Sequence, residues 1–149
     1  MVKRIVKPLL LAAVMAFIFM MSAQPGAESL DTSNSVVDLI YRLYMAVGKL
    51  SHDEFVGRYL PFIRKMAHFC EFMAMGFFAY LNSEEFLQKR IVLYSALLVA
   101  IYAISDEIHQ LFVANRYCSV GDMLIDSMGG MTGILLCYLI VREWRKRRQ

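Results

Sequence analysis

Nine polar residues stand where apolar ones would be expected, and their spacing gathers them. Lys65, His68 and Glu71 recur every third residue, which on a helix confines them to roughly a third of the circumference. Asp106, Glu107 and Gln110 form a second cluster, Arg116 stands alone, and Asp122 and Asp126 lie one helical turn apart. The chemistry open to such a set is limited. His68 with Glu71 could act as a base and its orienter, or Glu71 could donate a proton. The guanidinium of Arg116 suits a phosphate or carboxylate. Asp106, Glu107 and Asp126, with His68, could hold a divalent ion, since carboxylate oxygens suit magnesium or calcium and an added imidazole suits zinc. The spacing is specific to no metal, so no metal and no cofactor is expected. His109 flanks the acidic cluster but points away from Asp106, as a rim or interface residue. His52 is expected to be solvated. No glycine-rich phosphate loop, serine-centred elbow or paired-cysteine motif is present.

The elements that carry these residues are unusual. A membrane-crossing helix needs roughly 20 mostly apolar residues. The uncharged run 91–105 stops at Asp106 and Glu107, the stretch 66–81 contains His68 and Glu71, and 123–141 reaches the length only by including Asp126. Ionisable groups at that depth cost about 2.5–3.5 kcal/mol each on insertion scales and normally face other helices or a wet cavity. With 58% hydrophobic and 19% charged residues in 149, the chain departs from ordinary soluble composition. The expected fold is all-α: a four-helix transmembrane bundle with an amphipathic outer helix between helices one and two.

Residues 1–23 form an N-terminal transmembrane helix, its apolar run spanning 8–22 without an ionisable group. It follows Lys3, Arg4 and Lys7, but no small-x-small cleavage site follows, so a retained helix rather than a signal peptide is expected. Residues 24–60 are the outer segment. Its 24–34 portion, rich in Pro, Gly, Ser and Asp, reads as a loop, and Val36, Val37, Leu39, Ile40, Leu43, Tyr44, Val47 and Leu50 then recur at helical spacing. Residues 61–141 hold three helices. Pro61 suits the first turn of helix two, which places Glu71 about 15 Å along it. Helix three runs from beyond Arg90 through Phe112. Helix four follows Ser119-x-x-Asp122, a capping-box pattern, and Gly129-x-x-x-Gly133 permits close helix packing. Residues 142–149 are a basic tail.

Basic residues gather before helix one, at Lys89 and Arg90, and after helix four, so both termini are expected in the cytoplasm. The net charge of +3 mostly reports that tail, and no nucleic-acid partner is implied. Trp144 among Arg142, Arg145 and Lys146 reads as an interfacial anchor. Three cysteines leave one over, and Cys70, Cys118 and Cys137 have no framework spacing.

In order, the strings Arg64-Lys65-Met66-Ala67-His68-Phe69-Cys70-Glu71-Phe72, Ser105-Asp106-Glu107-Ile108-His109-Gln110-Leu111-Phe112, Asn115-Arg116 and Asp122-Met123-Leu124-Ile125-Asp126-Ser127-Met128-Gly129-Gly130 closely resemble the VanZ-like family over most of 60–138. The resemblance implies a small integral membrane protein of the bacterial cytoplasmic membrane, and the family's namesake is associated with low-level resistance to the glycopeptide teicoplanin. It implies Lys65, His68, Glu71, Asp106, Glu107, Gln110, Arg116 and Asp126 as a common polar core without stating what they do. Two readings follow. In one, an outward-facing site binds or modifies the head group of a lipid or lipid-linked cell-wall component, or a glycopeptide. In the other, the protein is a noncatalytic adaptor whose charges only hold the bundle together. A small proton-coupled transporter is disfavoured by the lack of repeated halves. Oligomeric state is not legible.

Overall fold

The structure, a computed structural model, describes residues 2–45, 48, 50–86 and 90–148, with side chains over 5–25, 35–45, 48, 50–83 and 90–148. Expectations resting on Val47 and Lys89, and on the side chains of Lys3 and Arg4, fall outside these residues. Five helices follow in order: α1 (Val2–Ser22), α2 (Gly26–Tyr44), α3 (His52–Phe86), α4 (Ile91–Gln110) and α5 (Val120–Lys146). No strand occurs among the described residues.

Three boundaries differ from expectation, each for a local reason. The stretch 26–34 is the start of α2, not a loop: Pro25 at its N-cap position, with φ −51° and ψ 149°, makes the break, and a proline before the first turn does not oppose a helix. Pro61 lies inside α3, which begins at His52. The start is set by a capping box at Ser51 and Glu54. The Ser51 amide and hydroxyl donate to Glu54 Oε2 at 2.9 and 2.7 Å, and the Glu54 amide donates to Ser51 Oγ at 3.4 Å. This is the S-x-x-E pattern in full, and the Ser51 amide holds the Glu54 carboxyl below its usual range. With 35 residues, α3 is about 52 Å long, so the 24–60 segment is α2 plus the opening turns of α3, and depth counted from Pro61 has no helix start beneath it. Finally, α4 ends at Gln110 rather than Phe112.

Four helices alternate in direction. α1 and α4 run the same way: Ser22 meets Asp106, and Tyr102 donates its hydroxyl to the Met15 carbonyl at 2.6 Å. α3 and α5 run the other way, and their contact is the most extensive in the fold. Glycine makes it so. A Cβ at Gly129 would strike the Phe69 carbonyl, one at Gly133 the Met73 carbonyl, and one at Gly76 the backbone of Gly130. The two backbones touch along this seam, as small-residue helix packing allows. Phe72, Met75, Val99, Ala103, Ile134 and Cys137 fill the core between α3, α4 and α5, with Leu11 and Ile18 closing it from α1.

The chain's two ends thus emerge at one end of the bundle and the polar residues gather at the other. Among the described residues, three helices, α1, α4 and α5, are long and apolar enough to cross a membrane, and their outward faces expose Leu9, Phe17, Ile101, Ile104, Leu135 and Ile140. α3 does not meet that measure, since His68 and Glu71 interrupt its apolar stretch.

Candidate functional site

At the end of the bundle away from the termini, α3, α4, α5 and the 111–119 connection enclose a cavity of about 460 Å³, walled by Arg64, Lys65, His68, Glu107, Gln110, Arg116, Asp122 and Asp126 among others. Its rim is wet and its wall is not. The side chains of Lys65 and Asp122 are 48% and 36% exposed, whereas Asp126 is 1% exposed as a residue.

Each polar residue has a traceable place. Lys65 on α3 forms an ion pair with Asp122 on α5 at the rim. Asp122 also has its amide capped by the Ser119 hydroxyl at 3.3 Å, so half of the expected capping box forms. The other half does not: the Ser119 amide donates to Glu107 Oε2 at 2.7 Å. Glu107 therefore clamps the last turn of α4 to the start of α5, where a carboxylate also meets the positive end of the helix dipole. Arg64 makes no hydrogen bond or ion pair among the described residues, and it faces the cavity.

Arg116 departs from the expectation of a free fork. The connection turns at Asn115, whose φ of 58° lies in the left-handed region that asparagine tolerates better than most residues. Arg116 Nε and Nη2 then donate to the carbonyls of Gln24 and Met21, both at 3.3 Å. Met21 lies in the last turn of α1, whose carbonyls have no partner within the helix and where a cation is favoured, and Gln24 lies two residues beyond it. Part of the guanidinium holds α1 in place, and the remainder lines the cavity.

Asp106 is the most firmly held acid. Its Oδ2 accepts the Ser22 hydroxyl at 2.7 Å and the Gln110 amide at 3.1 Å. Gln110, proposed from sequence as a binding residue, thus serves Asp106 from one turn away. Ser22 joins helix one to the site although the run 8–22 holds no ionisable group: its hydroxyl, in a residue with no exposed surface, ends that apolar run and gives no periodic signal. His68 and Glu71 are close but not bonded, with Nδ1 and Oε2 3.7 Å apart, and both atoms are buried without a partner. Asp126 is buried with neither carboxyl oxygen receiving a hydrogen bond. His68, Asp106 and Asp126 bring one ligand-type atom each within 4.8 Å of one another. Glu107 and Glu71 are not part of this trio.

Two histidines lie outside the site. His109 stacks on Phe19 with ring centroids 4.5 Å apart. His52 is not simply solvated: its Nε2 lies 2.7 Å from Asp38 Oδ1, which joins α3 to α2, and its ring meets the edge of Tyr41. Cys70, Cys118 and Cys137 are not joined to one another by a disulfide.

No curated protein and no solved structure matches the chain. The profile of the VanZ/LLP1 family matches residues 8–141, a range that takes in most of α1, all of α2 and every polar residue of the cavity. By that match, and by the three helices able to cross a membrane that fit it, this chain belongs to the VanZ/LLP1 family.

Proposed function

We propose that the protein is a multi-pass protein of the bacterial cytoplasmic membrane whose cavity binds the phosphate-bearing head group of a lipid or lipid-linked cell-wall component. α3 is the fourth span in this reading, its two ionisable groups turned into the bundle rather than toward lipid. The basic end, with Arg90 and Arg142 to Arg148, lies in the cytoplasm, and the cavity opens on the outer side. A connection to glycopeptide resistance follows only from resemblance to the family's namesake.

The carrying observation is the cavity's rim: Arg64, Lys65 and Arg116 converge on one opening, and Arg64 has no protein partner among the described residues. A cation facing a cavity without a counter-ion is a ready partner for an anionic head group. The depth of the cavity suits a polar group held at the interface while its chains stay among the exposed apolar faces of the helices. No serine, threonine or cysteine lines it among the described residues, and binding is the activity its convergent cations support.

The structural reading has its own observation, the four cross-links Ser22–Asp106, Glu107–Ser119, Lys65–Asp122 and Arg116–Met21. These account for much of the polar set but not for Arg64, His68 or Asp126. The adaptor reading loses one support, because Gly129 and Gly133 already face α3 within the chain. Native mass spectrometry in mild detergent separates the readings. A phosphate-bearing lipid retained by the wild type and lost in Arg64→Ala, with melting temperature unchanged, is the expected result. The same retention in both would refute the site.

A further inference from the structure

We propose that His68, Asp106 and Asp126 bind a divalent metal ion, zinc foremost, in the inner wall of the cavity. One imidazole and two carboxylates converge from three helices to within 4.8 Å. Ligands about 2.0–2.1 Å from a tetrahedral zinc lie roughly 3.3 Å apart, so small side-chain rotations complete the set. The trio has the composition of open zinc sites, with three protein ligands and a fourth position left to water or substrate. That fourth position faces the cavity, because His68 and Asp126 line it.

Asp126 is the observation that points to an ion. Both of its oxygens are buried without a donor in a residue only 1% exposed, and a buried polar group left unsatisfied is destabilising, the more so if charged. The carboxyl groups of Asp106, Glu107, Asp122 and Glu71 add further negative charge around it. Around the cavity five carboxyl groups meet the three fixed cations Arg64, Lys65 and Arg116, of which Lys65 is paired with Asp122 and Arg116 with backbone carbonyls. A dication offsets this excess of acid at the point where it is most buried.

The surroundings are those of a prepared ligand set. Ser22 and Gln110 both donate to Asp106 Oδ2, which fixes the carboxylate and leaves Oδ1 without a donor among the described residues. Such outer hydrogen bonds orient metal ligands and tune their affinity. Glu71 Oε2 stands 3.7 Å from His68 Nδ1, the place of a carboxylate that steadies a ligating imidazole. Soft ligands are missing from the trio, and a mixed nitrogen and oxygen set favours zinc or manganese over copper(I).

The site stands independently of the head-group reading, since it can be assayed with metal alone. The full chain, purified in detergent without a histidine tag or chelator, is analysed for metal by mass spectrometry, then stripped with EDTA and titrated with zinc chloride. About one zinc per chain is expected, with a melting temperature lowered by EDTA and restored by zinc. His68→Gln and Asp126→Leu should weaken zinc by more than the roughly 10–100-fold that loss of a supporting outer partner costs, while His109→Gln binds as wild type. Because the stripped wild type is tested as well, a variant that does not fold leaves the result readable. Zinc absent from the wild type both as purified and after titration, or bound equally well by His68→Gln, overturns the proposal.

Discussion

The two ends of the bundle are built from the same four helices and solve opposite problems. At the end carrying the termini, Tyr80 and Tyr138 meet edge to face at 6.3 Å, and Arg142, Arg145 and Lys146 surround them. Arg148 lies 3.7 Å over the Trp144 ring. Charges there are exposed on long flexible stems, as expected of residues anchoring a helix at a membrane interface. At the other end, behind a rim of Arg64, Lys65 and Arg116, the acids Asp106, Glu107 and Asp126 are buried, and Asp126 has no donor. The difference teaches that charge is not distributed for solubility. Between the ends, the glycine seam of α3 and α5 holds the backbones in contact, and beyond it the polar side chains diverge around a cavity. Stability is concentrated in the seam and unsatisfied polarity in the cavity.

That contrast can be broken most forcefully at the seam. Gly133→Val would drive a branched side chain into the Met73 backbone, and overpacking costs about 1–3 kcal/mol or more where only backbone stands opposite. A large fall in melting temperature, or loss of folded protein in detergent, is the expected outcome. In the cavity the sign reverses. With metal removed by EDTA, Asp126→Leu deletes a buried carboxyl that has no donor, and the fold should gain about 1–3 kcal/mol while losing ligand. A loss of stability there would place Asp126 among the structural groups.

Between these extremes lie the cross-links. Tyr102→Phe removes the hydrogen bond to the Met15 carbonyl and should cost about 0.5–1.5 kcal/mol in a chemical-denaturation series. The smallest effect is at the outer surface. The His52 imidazole is raised above its ordinary value of 6.5, first by its hydrogen bond to Asp38. Its contribution to the α2–α3 contact is therefore full below about 6.5 and is lost as pH rises through the raised value. A histidine titration by NMR should show the raised value in the wild type and a lower one in Asp38→Asn, with Asp53 still beside the ring.

How much of this was legible depended on whether a residue's signal was local. The polar positions stand out as charges in apolar runs, and Ser119 announced the start of α5. The Ser51-x-x-Glu54 box is as local a signal, but Pro61 offers a competing helix start further along the same segment. Ser22 could not be found, because a hydroxyl at the end of an apolar run is ordinary until a carboxylate from residue 106 meets it. Gly129 and Gly133 signalled close packing, but their partners on α3 are backbone carbonyls, which no sequence pattern marks. The same holds for Arg116, whose target is the end of α1. Contacts to backbone and contacts across helices required the fold.

The most direct test of the cavity as a ligand site compares two neighbouring faces of α5 in the native membrane. A photoreactive residue is placed at Ile125, which lines the cavity, and separately at Leu135, which is exposed on the outer face, and the adducts are identified by mass spectrometry. The account predicts that Ile125 captures a distinct phosphate-bearing head-group lipid while Leu135 captures the bulk membrane lipids. Identical adducts at both positions would contradict it.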